Sequence, residues 1–118
     1  MLIVLDLAGR VTLINRKGLG ILGYESEEED EVLWREWFES FVPPMVRDRV
    51  SEEFREITHG AIQEYYEDPI LTRDGEERMI ADSGAPIRDL ESRTVGVVLV
   101  FRDVSKSRKL AAQLRWQA

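Results

Sequence analysis

The segment that most constrains the fold is Thr94–Leu110. It opens as a run of β-branched and aliphatic residues, Val95-Gly96-Val97-Val98-Leu99-Val100-Phe101, and reads as a well-buried strand. Within two residues its character changes to the polar, turn-capable Arg102-Asp103-Val104-Ser105, and then to a stretch from Lys106 to Gln117 rich in strong helix formers. A buried strand that runs directly into a polar helix is a mechanical connection, because strain in the strand moves the helix. This favours a signal-transmitting domain over an enzyme. The strand is apolar on both faces, with Val97, Leu99 and Phe101 on one and Gly96, Val98 and Val100 on the other. An antiparallel sheet normally leaves one face to water. The outer face is therefore expected to be covered, by a second subunit, a flanking helix or a segment outside this sequence.

A chain of 118 residues with no cysteine can bury one real core but has no disulfide, thiolate or cysteine-based metal chemistry. The cysteine count accords with a reducing compartment, and a cytoplasmic location is expected. The net charge of −7 argues against a surface that tracks nucleic-acid phosphates. No apolar run approaches the roughly 20 residues needed to span a bilayer, so no membrane contact by this domain is expected. No Ser/His/Asp order, phosphate-binding glycine loop or metal-ligand cluster is visible, and the domain is expected to be non-catalytic. The sequence starts within a strand-like run and stops within a helical one, as an excised domain of a larger protein would.

Leu2–Leu5 and Val11–Ile14 flank a glycine-containing turn and predict a hairpin. Asn15 predicts a helix N-cap, with Leu19 and Leu22 following and Gly23 at the stop. Ser26 and Glu29 have capping-box spacing and predict a short acidic helix. The aromatic-dense segment Val32–Phe41 leads to Pro43-Pro44, which opens a longer helix whose stripe is Val46, Val50, Phe54 and Ile57 and whose end is Gly60. Three strands follow, at Ile62–Thr72, Glu77–Ile87 and Val95–Phe101, separated by the tight Asp74-Gly75 turn and the polar loop Asp89–Arg93. The pattern predicts an α+β fold, a five-stranded antiparallel sheet with several short helices on one face and a C-terminal helix.

This order, with these residues, resembles a PAS domain. The matching positions are Asp6-x-x-Gly9 in the first hairpin, Asn15 opening the helix, Gly23-Tyr24 closing it, and Thr72-x-Asp74-Gly75 at the third turn. Pro86-Ile87-Arg88-Asp89 precedes the last hairpin loop, Gly96 begins the last strand, and Asp103-Val104-Ser105 matches the family's Asp-x-Thr ending, with serine for threonine. The loop Asp89–Arg93 lacks the usual glycine. The resemblance implies a sensory domain over residues 1–105 and the start of an output helix over residues 106–118. The tail from Leu110 to Ala118, ending Trp-Gln-Ala, is similar to the helix that joins bacterial PAS domains to GGDEF diguanylate cyclases; sensor histidine kinases use similar exits. A homodimer is expected, in which Leu110 and Leu114 pair the output helices. The effector is expected in the same chain.

By the resemblance a small-molecule pocket is expected from Trp37, Tyr66, Ile70, Ile80, Asp82, Val97, Leu99 and Phe101. Asp82 in such a pocket is costly unless a donor meets it, so it is expected to fix a polar or cationic ligand. Asp103 is expected at the joint with the output helix, paired to Arg78 or Arg73, and Ser105 is expected to cap that helix. No cofactor is identified. Haem would need His59 as axial ligand, and non-covalent flavin would stack on Trp34 and Trp37. A flavin–cysteine bond and a thioester chromophore are excluded by composition. The rival is a ligand-free dimerisation scaffold whose pocket is filled by Trp34, Trp37, Phe38, Phe41, Tyr65, Tyr66 and Phe101.

Overall fold

A computed structural model describes residues 1–117, the side chains of residues 108 and 117 apart. In chain order the elements are β1 (Leu2–Leu5), β2 (Val11–Ile14), α1 (Arg16–Leu22), a 3₁₀ helix (Ser26–Glu31), α2 (Trp37–Phe41), α3 (Pro44–Thr58), β3 (Gln63–Leu71), β4 (Glu77–Arg88), β5 (Thr94–Asp103) and α4 (Ser105–Gln117). The strands form one antiparallel sheet in the order β2-β1-β5-β4-β3, so the last strand lies in the middle. This is the expected α+β arrangement.

Local chemistry accounts for most boundaries. Asn15 Oδ1 accepts from the Gly18 N–H at 2.9 Å, capping α1, and from the Leu2 N–H at 3.1 Å, pinning the start of β1. Gly23 closes α1 at φ 88°, the left-handed conformation that glycine adopts without cost. The acidic turn begins one residue earlier than Ser26 and Glu29 predict. Glu25 is the N-cap and forms the capping box with Glu28, and Ser26 is drawn into the helix. Glu28 also pairs with Arg73, which fixes that register. Two carboxylates build matching turns: Asp6 Oδ1 accepts from the Ala8 and Arg10 N–H groups, and Asp89 Oδ1 from those of Glu91 and Arg93. Pro69 sits on β3, an edge strand, where a missing N–H is tolerated.

The core lies between the sheet and the helices. Ile3, Leu5 and Phe101 from the sheet meet Leu19 and Leu22 of α1 and Trp37 and Phe41 of α2. Arg47 of α3 donates to the carbonyls of Phe38 and Val42 at 2.9 and 3.1 Å, satisfying the end of α2. Edge strand β2 is covered by the segment before α2: the Trp34 N–H donates to the Val11 carbonyl at 2.7 Å, and the Val11 N–H to the Arg35 carbonyl at 2.9 Å. That docking holds Trp34 at φ 71° with its ring 64% exposed. Trp34, Tyr65 and Tyr66 are all exposed, so the expectation that they fill the interior fails; Trp37, Phe38, Phe41 and Phe101 are the aromatics that do. The sheet's outer face is bare in the single chain, with Leu13, Tyr65 and Val100 exposed on it.

Two glycines give opposite predictions. A Cβ on Gly96 would lie 2.8 Å from the Leu5 carbonyl oxygen, a backbone atom held in the β1–β5 ladder. Gly96→Ala is expected to destabilise the fold by about 1–3 kcal/mol. Gly20 has nothing within 4 Å of the same position. Gly20→Ala is expected to stabilise it by about 0.5–1 kcal/mol. Urea unfolding of both variants checks the pair.

Candidate functional site

Between the sheet and α3 lies a cavity of about 30 Å³. Its walls are Trp37 and Phe38 of α2, Val50, Glu53, Phe54 and Ile57 of α3, and residues of β3, β4 and β5. Sheet periodicity decides which strand residues reach it. Ile80 and Asp82 of β4 share one parity, and Leu99 and Phe101 of β5 another, and all four line the void. Gly84 continues the β4 parity, where a Cβ would strike Ile57 Cδ1 and Leu99 Cδ2 at under 3.0 Å. The missing side chain lets α3 lie close to the sheet.

Five of the pocket residues expected from sequence, Trp37, Ile80, Asp82, Leu99 and Phe101, line the cavity together with a sixth, Ile70. The other two do not. Tyr66 pairs with Asp82 across the β3–β4 ladder, yet it is 42% exposed, beside the β-bulge between Gln63 and Tyr66 where Tyr65 takes φ 52°. Val97 is fully buried, but in the core beyond the cavity wall. Trp34 and Trp37 lie apart, one exposed and one buried against Phe41 and Phe101. His59 is an exposed C-cap residue whose Nδ1 lies 2.8 Å from the Arg55 carbonyl oxygen.

The principal residue that sequence reasoning missed is Asp68. It is only 3% exposed, within a strand whose preceding residues are exposed. The signal was available: Asp68 stands two residues before Ile70 and therefore shares its face. Asp68 Oδ1 accepts from Arg49 Nη1 of α3 at 2.9 Å, and the same Arg49 nitrogen reaches Glu53 at 3.1 Å. Asp68 Oδ2 and Asp82 Oδ1 are buried without a partner when both groups are drawn as carboxylates. Burial pushes the Asp82 carboxyl up to about 8, reinforced by the charge of Asp68, a hydrogen bond to Asp68 and the charge of Glu53. A proton on Asp82, donated to Asp68, satisfies both oxygens with one hydrogen bond. Burial and the Asp68 charge also raise the Glu53 carboxyl, against the pull of Arg49.

The joint with α4 differs from expectation. Asp103 pairs with neither Arg78 nor Arg73. Arg78 donates to the Ile21 carbonyl at 3.2 Å, and Arg73 is held by Glu28 and lies over the Tyr24 ring. Both arginines are engaged at the end of α1 and the acidic turn that follows it, and Asp103 takes a different partner. The Arg73 N–H likewise donates to the Leu22 carbonyl at 2.8 Å. Asp103 Oδ1 instead accepts from the Ser105 N–H at 2.9 Å, making aspartate the cap. Ser105 is the first residue of α4 and does not cap it, because its Oγ accepts from the Met79 N–H of β4 at 2.8 Å. The Val104 N–H donates to the Met79 carbonyl at 2.9 Å. The start of α4 is thereby stitched to β4, one residue from the cavity residue Ile80. Among the described side chains of α4 beyond its first residue, all are exposed, Leu110 and Leu114 included. The expected Trp-Gln-Ala ending runs into residue 118, outside the described residues.

The family model for the PAS fold matches residues 1–109. A solved PAS domain of a protein from Colwellia psychrerythraea is similar at 21% identity and TM-score 0.77, covering 89% of this chain and 86% of that one. The PAS domain of an HTR-like protein from Haloarcula marismortui is similar at 22% identity and TM-score 0.65, covering 87% and 79%. The Drosophila melanogaster Cycle PAS-B domain, solved with bound ethylene glycol, is similar at 9% identity and TM-score 0.74, covering 86% and 97%. A search of curated proteins found no match. No helix among the described residues is long and apolar enough to cross a membrane.

The state of Asp82 has a pH signature. The folded chain holds this proton up to about pH 8, whereas an unfolded aspartate releases it near 3.8. Between those values the folded state binds more protons than the unfolded one, so this group's contribution to stability falls as pH rises through the window. Unfolding free energies measured by urea from about pH 5 to about pH 8 are expected to decline in the parent, and to decline less in Asp82→Asn, which keeps the shape and has no proton to lose.

Proposed function

The chain belongs to the PAS-fold family, and on that premise we propose that it is the sensory domain of a bacterial signal-transduction protein, binding a small molecule in the cavity between sheet and helices. The observation that carries this reading is the placement of an acid pair, Asp68 and Asp82, with Glu53 opposite, in a largely apolar cavity wall that continues through β5 into α4. A purely structural core gains nothing from two buried carboxyls, each of which costs desolvation energy. Their retention is intelligible when a ligand meets them.

The mechanism is a population shift. At about 30 Å³ the cavity holds a water-sized group, so a larger ligand displaces Leu99, Phe101 or α3 on entering. Leu99 and Phe101 lie on the strand that ends at Asp103. A shift of β5 against β4 disturbs the Asp103 and Ser105 hydrogen bonds that begin α4. These bonds, one exposed and one part-buried, are individually modest, about 0.5–1.5 kcal/mol each, so ligand binding can outweigh them. The bare outer face, with Leu13, Tyr65 and Val100, supports a homodimer that buries it, and Leu110 and Leu114 support pairing of the two α4 helices. The effector we propose is a C-terminal diguanylate cyclase in the same chain, in the cytoplasm, on the strength of the tail's similarity to the helix that precedes such domains. A histidine kinase is the alternative effector. The domain itself regulates and does not catalyse.

The small cavity favours one second reading, the ligand-free dimerisation scaffold. Absorbance spectroscopy of the natively purified protein, then denaturation and mass spectrometry of what is released, separates the two. A released small molecule is expected, and a colourless one is expected because the cavity is far smaller than a flavin or a haem; a protein that releases nothing and binds no small molecule would establish the scaffold. In the full-length protein, Asp103→Ala is expected to change effector output while leaving ligand affinity intact. Lost affinity with intact output would contradict the proposed role of Asp103.

A further inference from the structure

Resting on the reading of the cavity as a ligand site, the structure narrows the ligand's chemistry. We propose that the cavity takes a compact primary ammonium group, held between Asp68 Oδ2 and Asp82 Oδ1, with any hydrocarbon portion against the apolar walls.

Four observations converge on a cation that donates hydrogen bonds. Asp68 is 3% exposed, and its buried Oδ2 and the buried Asp82 Oδ1 on the same face of the sheet meet no donor other than the proton the two acids share. Carboxylate oxygens only accept, so their partner must donate. The charged groups that line the cavity are Glu53, Asp68 and Asp82, three acids and no base. Arg49 stands outside the lining, half-exposed, with Nη1 engaged by Asp68 Oδ1 and Glu53. An anionic ligand would meet uncompensated negative charge. The volume of about 30 Å³ admits a group the size of water or ammonium. Finally, no group of three or more acidic or histidine side chains among the described residues has an arrangement that holds a metal ion, which favours a monovalent donor over a divalent ion.

The charge balance defines the exchange. In the empty site one proton bridges Asp82 and Asp68. When the ammonium enters, that proton leaves to solvent and three N–H donors replace one O–H donor, so the net charge within the cavity is unchanged. The groups that face Asp82 are Asp68 from β3 and Glu53 from α3, with Arg49 behind them on α3, and they remain as they were. Binding is therefore proton-linked. Affinity rises with pH until Asp82 is ionised without ligand, near pH 8.

The test is a ¹H–¹⁵N NMR titration of the protein with methylammonium chloride at fixed ionic strength, repeated across pH, beside a titration with methanol, a neutral molecule of similar size. Methylammonium is expected to shift the amides of Asp68, Ile80 and Asp82 and the Trp37 indole. Its apparent affinity is expected to rise by up to about tenfold per pH unit toward pH 8 and then level. Asp82→Asn is expected to weaken methylammonium binding at least about tenfold and abolish its pH slope. Asp68→Asn gives the same reading should Asp82→Asn fail to fold. Shifts with methanol but not methylammonium would overturn the ammonium inference and leave the cavity a ligand site. Shifts with neither would overturn both. Methylammonium shifts that persist in a folded Asp82→Asn or Asp68→Asn protein, with the pH slope intact, would also overturn it.

Discussion

The hydrogen-bonded position of β5 governs the rest of this structure. It is the last strand in sequence and the central strand in space, paired to β1 on one side and β4 on the other. The N-terminal hairpin therefore cannot join the sheet until the C-terminal strand is in place, and the fold closes across nearly the whole chain. Antiparallel pairing on both edges leaves β5 little freedom to slide alone. A displacement at Leu99 or Phe101 is shared with β4 and carried along the strand to Asp103. The joint at Asp103-Val104-Ser105 converts strand position into helix position, because its hydrogen bonds run to Met79 on β4 and not to a flexible loop.

The cavity depends on the same strand. Leu99 and Phe101 form its floor, Gly84 allows α3 to close over it, and Trp37 packs between Phe41 and Phe101 to seal one end. Into this apolar setting the chain places Asp68 and Asp82 on one sheet face and Glu53 opposite. Two carboxylates this close cannot both stay ionised at neutral pH without a counter-charge. Arg49 neutralises the outer one from α3, and a proton neutralises the inner one. Helix α3 is thus tied to the sheet both by the apolar stripe of Val50, Phe54 and Ile57 and by an ion pair at the cavity's edge.

Much of this was legible in the residues. Asn15, Gly23, Pro44 and Gly75 mark element boundaries because each acts locally, through a cap, a positive φ or a fixed φ, and local chemistry survives into the fold. Alternation groups Ile80 with Asp82 and Leu99 with Phe101, the family resemblance assigns those faces to the pocket, and all four line the cavity. What sequence misjudged depends on partners distant along the chain. Arg78 and Arg73 turn to the end of α1, which nothing near them in sequence announces. Ser105 is drawn to Met79, leaving the cap to Asp103. Tyr66 has the right parity, but it follows a β-bulge between Gln63 and Tyr66 that the sequence does not announce, and it stays exposed. Asp68 was overlooked although its two-residue spacing from Ile70, an expected pocket residue, places it on the same face.

The central claim is that the state of the cavity is mechanically coupled to the first turn of α4. Amide hydrogen exchange resolved across residues 98–110 tests it, comparing the parent with Val50→Phe, which enlarges a wall residue on α3 and leaves every strand residue unchanged in sequence. Coupling predicts altered protection at Val104 and Ser105, in step with the cavity wall. Changes confined to α3 and the cavity walls, with Val104 and Ser105 exchanging as in the parent, would contradict it.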